Sequence, residues 1–267
     1  MRFLGLSREK FRQFLGLCAI QAGGLCAMYL FEPAFLVSTF LVFGLPVLYL
    51  LLILRRRNQF SRIVTMVALF GLLYGFLLEY IAEIGGAWEV GAGTRFVFSR
   101  SLLGVVSPDV MVWFALWVAY IVMFYEHFLE KDRSRTVSWR SVLAFVPGFL
   151  VLGAVCVAHM FGSDFFVWRY AYLVLGLLTL PPVAVLAYIR PHVMHKALLT
   201  SCFFAPVYFV YELIALPQGQ WVFNGEYIGG LVIGSIPAIP LEELIFWIIF
   251  SSAIVVAYYE LYIDDMK

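Results

Sequence analysis

The hydrophobic residues of this chain fall into long apolar runs that alternate with short polar segments. Eight runs approach the roughly 20 residues that a helix needs to cross a hydrocarbon core of about 30 Å, and none shows the alternation of a barrel strand. The pattern predicts an all-α polytopic membrane bundle of about eight transmembrane helices. The predicted spans are 13–31, 34–54, 63–85, 102–129, 141–162, 167–189, 197–216 and 241–261.

The composition agrees with a membrane location. Of the 267 residues, 63% are hydrophobic and only 13% are charged, which is too little polar surface to cover a soluble globule of this size. The four cysteines lie inside apolar runs without metal-type spacing, and no nucleotide-binding or diphosphate-magnesium motif occurs. We therefore expect no cofactor and no metal. The net charge of +1 and the lack of a basic groove give no indication of a nucleic-acid partner.

Basic residues are gathered in alternate loops. Under the positive-inside rule, this distribution predicts a multi-pass protein of the cell membrane with both termini on the cytoplasmic side. Glu126 and Glu260, at the cytoplasmic ends of their spans, are expected to be solvated. The basic residues are Arg2, Arg8, Lys10, Arg12, Arg55, Arg56, Arg57, Arg62, Lys131, Arg133, Arg135, Arg140, Arg190 and Lys196.

The chain repeats a set of acidic and aromatic positions. Glu79 precedes Trp88 by nine residues, and Glu212 precedes Trp221 by the same spacing, 133 positions later. Trp113 and Trp247, and the pairs Tyr125-Glu126 and Tyr259-Glu260, recur with an offset of 134. The repetition predicts two parallel four-helix repeats, residues 1–133 and 134–267.

Five carboxylates are predicted to share one outward layer of the bundle. Glu79 and Glu212 fall near the outer ends of their spans, whereas Pro108 and Pro240 suit first helical turns and bring acids with them. The repeat places Asp109 opposite Glu243 and Pro108 opposite Glu242. Only the second copy therefore carries adjacent acids, which leaves open whether the first copy is catalytic. The acids of this layer are Glu79, Asp109, Glu212, Glu242 and Glu243.

Two interpretations of the adjacent acids Glu242 and Glu243 compete. An acid in a first helical turn gains about 0.3–1 kcal/mol from the helix dipole, which would be a purely structural role. Intramembrane acids more often mark function, and two close carboxylates in a low dielectric cannot both ionise readily. One of them would then hold a proton near neutral pH and could donate it. Trp88 and Trp221 could likewise be ordinary aromatics of the membrane interface.

The segment Pro240-Leu-Glu-Glu-Leu-Ile-Phe-Trp247, with Tyr211-Glu212, Trp221 and Tyr259-Glu260, resembles the membrane-integral lycopene cyclase domain of the heterodimeric or fused type. The resemblance is good over residues 205–260 and loose in the first copy. It implies an intramolecular lyase or isomerase that protonates the end of a linear carotene from the bilayer and closes a ring without redox change. Association with other carotenoid enzymes is compatible with it.

The resemblance also implies roles for individual residues. Glu243 or Glu242 would donate the proton, and Glu212, Glu79 and Asp109 would polarise that acid or act as the base. Aromatic faces would hold the substrate and stabilise the cation by about 1–2 kcal/mol each. The aromatic residues concerned are Trp88, Trp113, Trp221, Phe246 and Trp247.

Two other functions remain open at this stage. A carotenoid hydratase would begin with the same protonation but let water capture the cation. A non-enzymatic transporter or partner subunit would use the acids as a proton path, in which case they should be spread along the membrane normal or lie near its midplane.

Overall fold

The computed structural model describes residues 7–54, 57–91, 94–98, 101–130, 146–162 and 169–263. These residues form helical segments, several of which contain π-helical turns, and the longest connections between segments follow the third and the seventh. We number the segments α1 to α8. They are α1 (Arg8–Phe31), α2 (Phe35–Ile53), α3 (Gln59–Gly85), α4 (Pro108–Leu129), α5 (Val146–Met160), α6 (Ala171–Ile189), α7 (Pro191–Ala215) and α8, which joins Glu243–Ile249 to Ser251–Ile263 through a 54° bend.

Several of these helices are suited to a membrane. Within the described part of the chain, six are long and apolar enough to span one, and the bent α8 would make seven. The described part of α5 has 15 residues, and the expected start of its span at residue 141 lies outside the described residues. The chain therefore has the helices of a membrane protein, while a count of eight spans stays a prediction. The expected repeat boundary at 133/134 and its basic linker also lie outside the described residues.

Most predicted spans differ from the helices only at their ends. The fourth was expected from residue 102, but Leu102 and Val106 form a β-bridge, and α4 begins at Pro108 behind the N-cap Ser107. The seventh was expected from residue 197, but the helix begins at Pro191, whose missing N–H suits a first turn. Local turn and cap chemistry thus shifted the boundaries by six residues in both cases.

The core of the bundle surrounds α4. This helix packs against α2, α3 and α8, and its residues from Trp117 to Tyr125 are buried on every side. A helix that is apolar all round is expected at such a central position. At the start of the helix, Asp109, Val110, Met111 and Phe114 are buried as well, so this end of α4 can contribute to an internal site.

Two small sheets depart from the all-α expectation. Strand β1 (Glu89–Val90) pairs antiparallel with β2 (Trp221–Val222), and β3 (Gly230–Ile233) forms a hairpin with β4 (Ile236–Pro240). The first sheet joins the loop that follows α3 to the loop that follows α7, and the second lies within the loop that follows α7. Strands of two to five residues are too short to give a detectable periodicity in the sequence.

Glu126 and Glu260, expected to be solvated, are instead buried. Tyr125 donates a hydrogen bond to Glu260, and Tyr259 donates one to Glu126, so the two helix ends exchange the same contact. Arg62 lies 3.1 Å from Glu126. Each carboxylate thus has a phenol donor, and Glu126 has a charged partner, which makes burial tolerable. The expectation of solvated charge was wrong because it considered each helix end in isolation.

The packing of α1 on α2 predicts that alanine substitution of two adjacent glycines has different effects on stability. A Cβ on Gly24 would lie 2.2 Å from the carbonyl oxygen of Leu41, whereas a Cβ on Gly23 would meet nothing within 4 Å. Gly24→Ala should force the helices apart and lower the free energy of unfolding by about 1–3 kcal/mol. Gly23→Ala should leave it unchanged or slightly higher. Thermal unfolding of both variants in detergent tests this, and equal midpoints would contradict the close packing.

Candidate functional site

A cavity of about 160 Å³ lies within the bundle between α3, α4, α6, α7 and α8. Its walls are mainly aromatic and aliphatic, and no lysine or arginine of the described residues lines it. Three carboxyl groups face this apolar space, from Glu79, Glu212 and Glu243. All three side chains are almost fully buried, so each needs hydrogen-bond partners from the protein.

The position of Glu79 depends on the way α3 ends. Gly86 has a φ of +66°, and the turn is closed by hydrogen bonds from the Gly86 N–H to the Glu83 carbonyl (3.2 Å) and from the Ala87 N–H to the Ala82 carbonyl (2.8 Å). This is a Schellman motif, which requires a left-handed residue that glycine supplies without strain. The turn reverses the chain, so that the indole N–H of Trp88 donates to Glu79 at 2.8 Å.

The same arrangement recurs at the end of α7. Gly219 has a φ of +64°, its N–H donates to Leu216, and the N–H of Gln220 donates to Ala215 at 3.1 Å. The indole N–H of Trp221 then donates to Glu212 at 3.0 Å. The nine-residue spacing of acid and tryptophan is thus the length of chain needed to leave the helix, turn back and reach the acid. Neither tryptophan is a mere interfacial aromatic, because each donates to a cavity carboxyl.

The two loops that carry these tryptophans cross each other. Glu89 pairs with Val222 and Val90 with Trp221 in the β1–β2 ribbon. The loops approach so closely that a Cβ on Gly91 would lie 2.1 Å from the Gly219 oxygen, and one on Gly225 would lie 2.3 Å from the Gly86 oxygen. Each loop therefore holds the turn of the other.

Tyr227 strengthens this crossing. Its hydroxyl donates to the Ala87 carbonyl at 2.9 Å and accepts from the Gly225 N–H at 2.8 Å. Burial raises the pKa of the Tyr227 phenol, so the group stays a neutral donor over the physiological range. The outer rim of the cavity is therefore fixed by side-chain and backbone hydrogen bonds together.

Glu243 reaches the cavity from the π-helical first part of α8. The hydroxyl of Tyr172 donates a hydrogen bond to its Oε2, and its carboxyl interacts with that of Glu212. The Oε1 atom of Glu212 and the Trp247 indole N–H have no partner at ordinary hydrogen-bond distance among the described residues, although the indole lies close enough to the Glu212 carboxyl to interact with it. The cavity thus contains a carboxyl pair with unused hydrogen-bonding capacity.

Glu242 and Asp109 do not line the cavity. Glu242 accepts a hydrogen bond from the Ile228 N–H at 2.8 Å, and Asp109 accepts from the N–H groups of Val97 and Phe98 at 3.2 and 3.1 Å. Both acids hold the preceding loop to the start of their helix. Asp109 therefore shares its role with Glu242, not with Glu243 as the sequence alignment predicted. The alignment paired Asp109 with Glu243 because it used the offset of 134 that holds at Trp247, whereas the offset of 133 at Glu212 and Trp221 pairs Asp109 with Glu242.

An aromatic cluster forms another part of the cavity wall. The ring of Trp247 lies 4.8 Å from Trp113, 5.1 Å from Trp117 and 4.7 Å from Tyr208. The expected binding residues Trp88, Trp113, Trp221, Phe246 and Trp247 all line the cavity. The ring of Phe246 is accommodated by Gly176, where a Cβ would lie 2.2 Å from it.

Sequence reasoning missed two lining residues of note, Tyr172 and Trp117. Trp117 could have been found, because it follows Trp113 by four residues and so lies on the same helical face. Tyr172 had no such signal. It lies in α6 and reaches Glu243 of α8 only through the tertiary fold.

The site offers acid–base groups and aromatic faces. Within the described residues, no cluster of three histidine, cysteine or acidic side chains could hold a metal ion. The arrangement can hold a proton on one carboxyl, accept one on another and surround a cationic centre with aromatic rings. No protein-family model, curated protein or solved structure matches the chain in comparisons with known proteins.

The turn at Gly219 yields a prediction. A Cβ there would meet nothing within 4 Å, so substitution should act through the positive φ alone. Gly219→Ala should lower the free energy of unfolding by about 1–2 kcal/mol, and Gly219→Asn should cost less, because asparagine tolerates this conformation. Thermal midpoints in detergent measure both. A loss with asparagine equal to that with alanine would show that side-chain size, not φ, limits the position.

Proposed function

We propose that this protein is a carotenoid end-group cyclase of the lycopene cyclase type, acting in the membrane by acid catalysis. The observation that carries the proposal is the position of Glu243, an acid in an aromatic cavity with a second carboxyl beside it and with no lysine or arginine among the described lining residues. Such an acid is suited to hold a proton and to give it to an alkene. The resemblance of residues 205–260 to the lycopene cyclase domain points to the same chemistry.

The reaction balances without a cofactor. The π electrons of the terminal double bond take the proton of Glu243, which leaves a carboxylate and a tertiary carbocation. A second double bond of the substrate attacks this centre, closes the ring and moves the positive charge. Glu212 or Glu79 then removes a proton to form the ring double bond. The product is an isomer of the substrate, and a proton passed from the base back to Glu243 restores the starting state.

The cavity walls suit a cationic intermediate. Trp113, Trp117 and Trp247 present aromatic rings to it, and each face could stabilise a cation by about 1–2 kcal/mol when water is excluded. A lining carboxyl group that is ionised adds electrostatic attraction for the cation. A dry site also prevents water from trapping the cation as an alcohol.

The size of the cavity suits the end of a long substrate. Its volume of about 160 Å³ is smaller than the roughly 300–1,000 Å³ of a pocket that encloses a whole drug-sized ligand. We infer that one end group occupies the cavity while the remaining chain extends between helices towards the lipid. The bilayer would then supply the hydrophobic substrate directly.

We also propose that the bundle is built from two parallel repeats that share one site. Three reciprocal features support this: the matched Schellman turns, the β1–β2 crossing and the exchanged Tyr–Glu contacts. Glu79 comes from the first half and Glu212 from the second, yet both face one cavity. The offset between halves is 133 at Glu212 and Trp221 and 134 from Trp247 onwards, and Trp247 lies inside the π-helical part of α8 (Glu243–Ile249). The extra residue places Glu243 at the cavity, whereas the first half has no corresponding acid there.

A hydratase is the second candidate. The unpaired Glu212 Oε1 and the Trp247 N–H could together hold a water molecule beside the cation. Against this, the aliphatic hydroxyl groups of the described wall, on Thr179 and Ser251, both donate to backbone carbonyls of their own helices, and the phenol of Tyr172 donates to Glu243. A transporter is less favoured, because the three acids surround one cavity.

The decisive experiment is expression of the full chain in cells that accumulate lycopene, followed by chromatography of the pigments. Cyclic products with the mass of lycopene are expected. Hydroxylated products of higher mass would instead establish the hydratase. Unchanged lycopene in cells that contain correctly folded protein in the membrane would overturn both enzymatic proposals.

Adjacent acids provide a matched test of the site. Glu243→Gln removes the proposed proton donor, so product formation should fall by at least about 100-fold. Glu242→Gln keeps an oxygen that can accept from Ile228, so product should stay within about threefold of wild type. Pigment yields normalised to membrane-protein level measure both. Loss of product in Glu242→Gln at normal expression would contradict the assignment of the acid to Glu243.

A further inference from the structure

We propose that Tyr172 is the positioning residue of the acid: its hydroxyl orients the Glu243 carboxyl and stabilises the carboxylate that forms when the proton leaves. The inference rests on the proposed function and assigns a role to a residue of α6, outside the acid-and-tryptophan pattern. It concerns the rate at which Glu243 donates its proton, and not the identity of the acid.

The contact is direct and buried. The Tyr172 hydroxyl donates to Oε2 of Glu243, and the exposed fractions of the two residues are 6% and 5%. Because a carbonyl oxygen is a better acceptor than a protonated one, the bond to Oε2 favours the neutral acid with its proton on Oε1. The phenol therefore favours Oε1 as the oxygen that delivers the proton to a substrate in the cavity.

The phenol ring is held by its neighbours. Trp88 packs edge-on against it with centroids 4.9 Å apart, and Phe223 stacks at 6.4 Å with an interplanar angle of 26°. Trp88 in turn donates to Glu79. A donor fixed in this way needs no reorganisation when charge develops on Glu243.

The same hydrogen bond changes strength during the reaction. A phenol that donates to a neutral carboxyl makes an ordinary hydrogen bond, whereas donation to a carboxylate is charge-assisted and about twice as strong. The gain is realised only as the proton leaves, so it lowers the barrier without tightening substrate binding. Loss of the hydroxyl should reduce kcat by about 10- to 100-fold and leave KM nearly unchanged.

Tyr172→Phe tests this, because it removes the hydroxyl and keeps the ring against Trp88 and Phe223. Tyr120→Phe is the matched control. Tyr120 is fully buried, its hydroxyl has no hydrogen-bond partner among the described residues, and it is not one of the cavity residues. Both are compared with wild type for kcat and KM in membranes supplied with lycopene. The expected result is a loss of kcat in Tyr172→Phe alone.

Infrared spectroscopy gives a readout that needs no substrate. The carbonyl band of protonated Glu243 is the band that Glu243→Gln abolishes. This band should move to higher frequency in Tyr172→Phe, because its oxygen loses a donor, and should not move in Tyr120→Phe. If Tyr172→Phe does not fold, wild-type protein labelled with fluorotyrosine replaces it. The more acidic phenol should then move the band to lower frequency.

The outcomes separate the two proposals. A band that does not move, or a kcat within about twofold of wild type, overturns the role of Tyr172. A fall in activity that comes from KM alone overturns it as well. If wild-type protein converts no carotene, the proposed function fails and the infrared measurement decides alone. A shifted band then supports Tyr172 as the group that orients Glu243.

Discussion

The interior of this bundle is governed by one requirement: a buried carboxyl needs a hydrogen-bond donor from the protein. Each cavity acid meets it with an aromatic side chain, Trp88 for Glu79, Trp221 for Glu212 and Tyr172 for Glu243. A neutral donor satisfies the oxygen without adding positive charge. A lysine or arginine would favour the ionised acid far more strongly. The choice of aromatic partners thus leaves the carboxyls able to keep protons while the walls stay apolar.

The two ends of the bundle deal with buried acids in different ways. At the end opposite the cavity, Glu126 lies close to Arg62, and Glu260 lies 3.7 Å from Arg190. Those carboxylates have cationic neighbours and bind the helix ends together. The cavity acids have none among the described lining residues. The charge environment therefore distinguishes acids that hold the structure from acids that are available for proton transfer.

Much of the fold could be predicted from the apolar runs, because a helix that crosses a membrane needs a length of sequence that is easily recognised. The acid-and-tryptophan spacing likewise singled out Glu79, Glu212, Trp88 and Trp221, which all line the cavity, but it did not predict the hydrogen bond within each pair. The sequence did not predict the features that depend on one extra residue or on tertiary contacts. The sequence could not show which of Glu242 and Glu243 faces the cavity. Both are glutamates, and they differ only in the direction in which their side chains leave the helix. It gave no sign of Tyr172, whose partner lies 71 positions away.

The π-helical turn of α8 has an evolutionary consequence. In the duplicated ancestor that we propose, both halves would have carried an acid that holds a loop, as Asp109 and Glu242 do now. Insertion of a single codon after that acid in one copy would place a new side chain in the cavity and leave the old anchor intact. A symmetric scaffold could in this way acquire a one-sided acid in a single genetic event, without first giving up its stability.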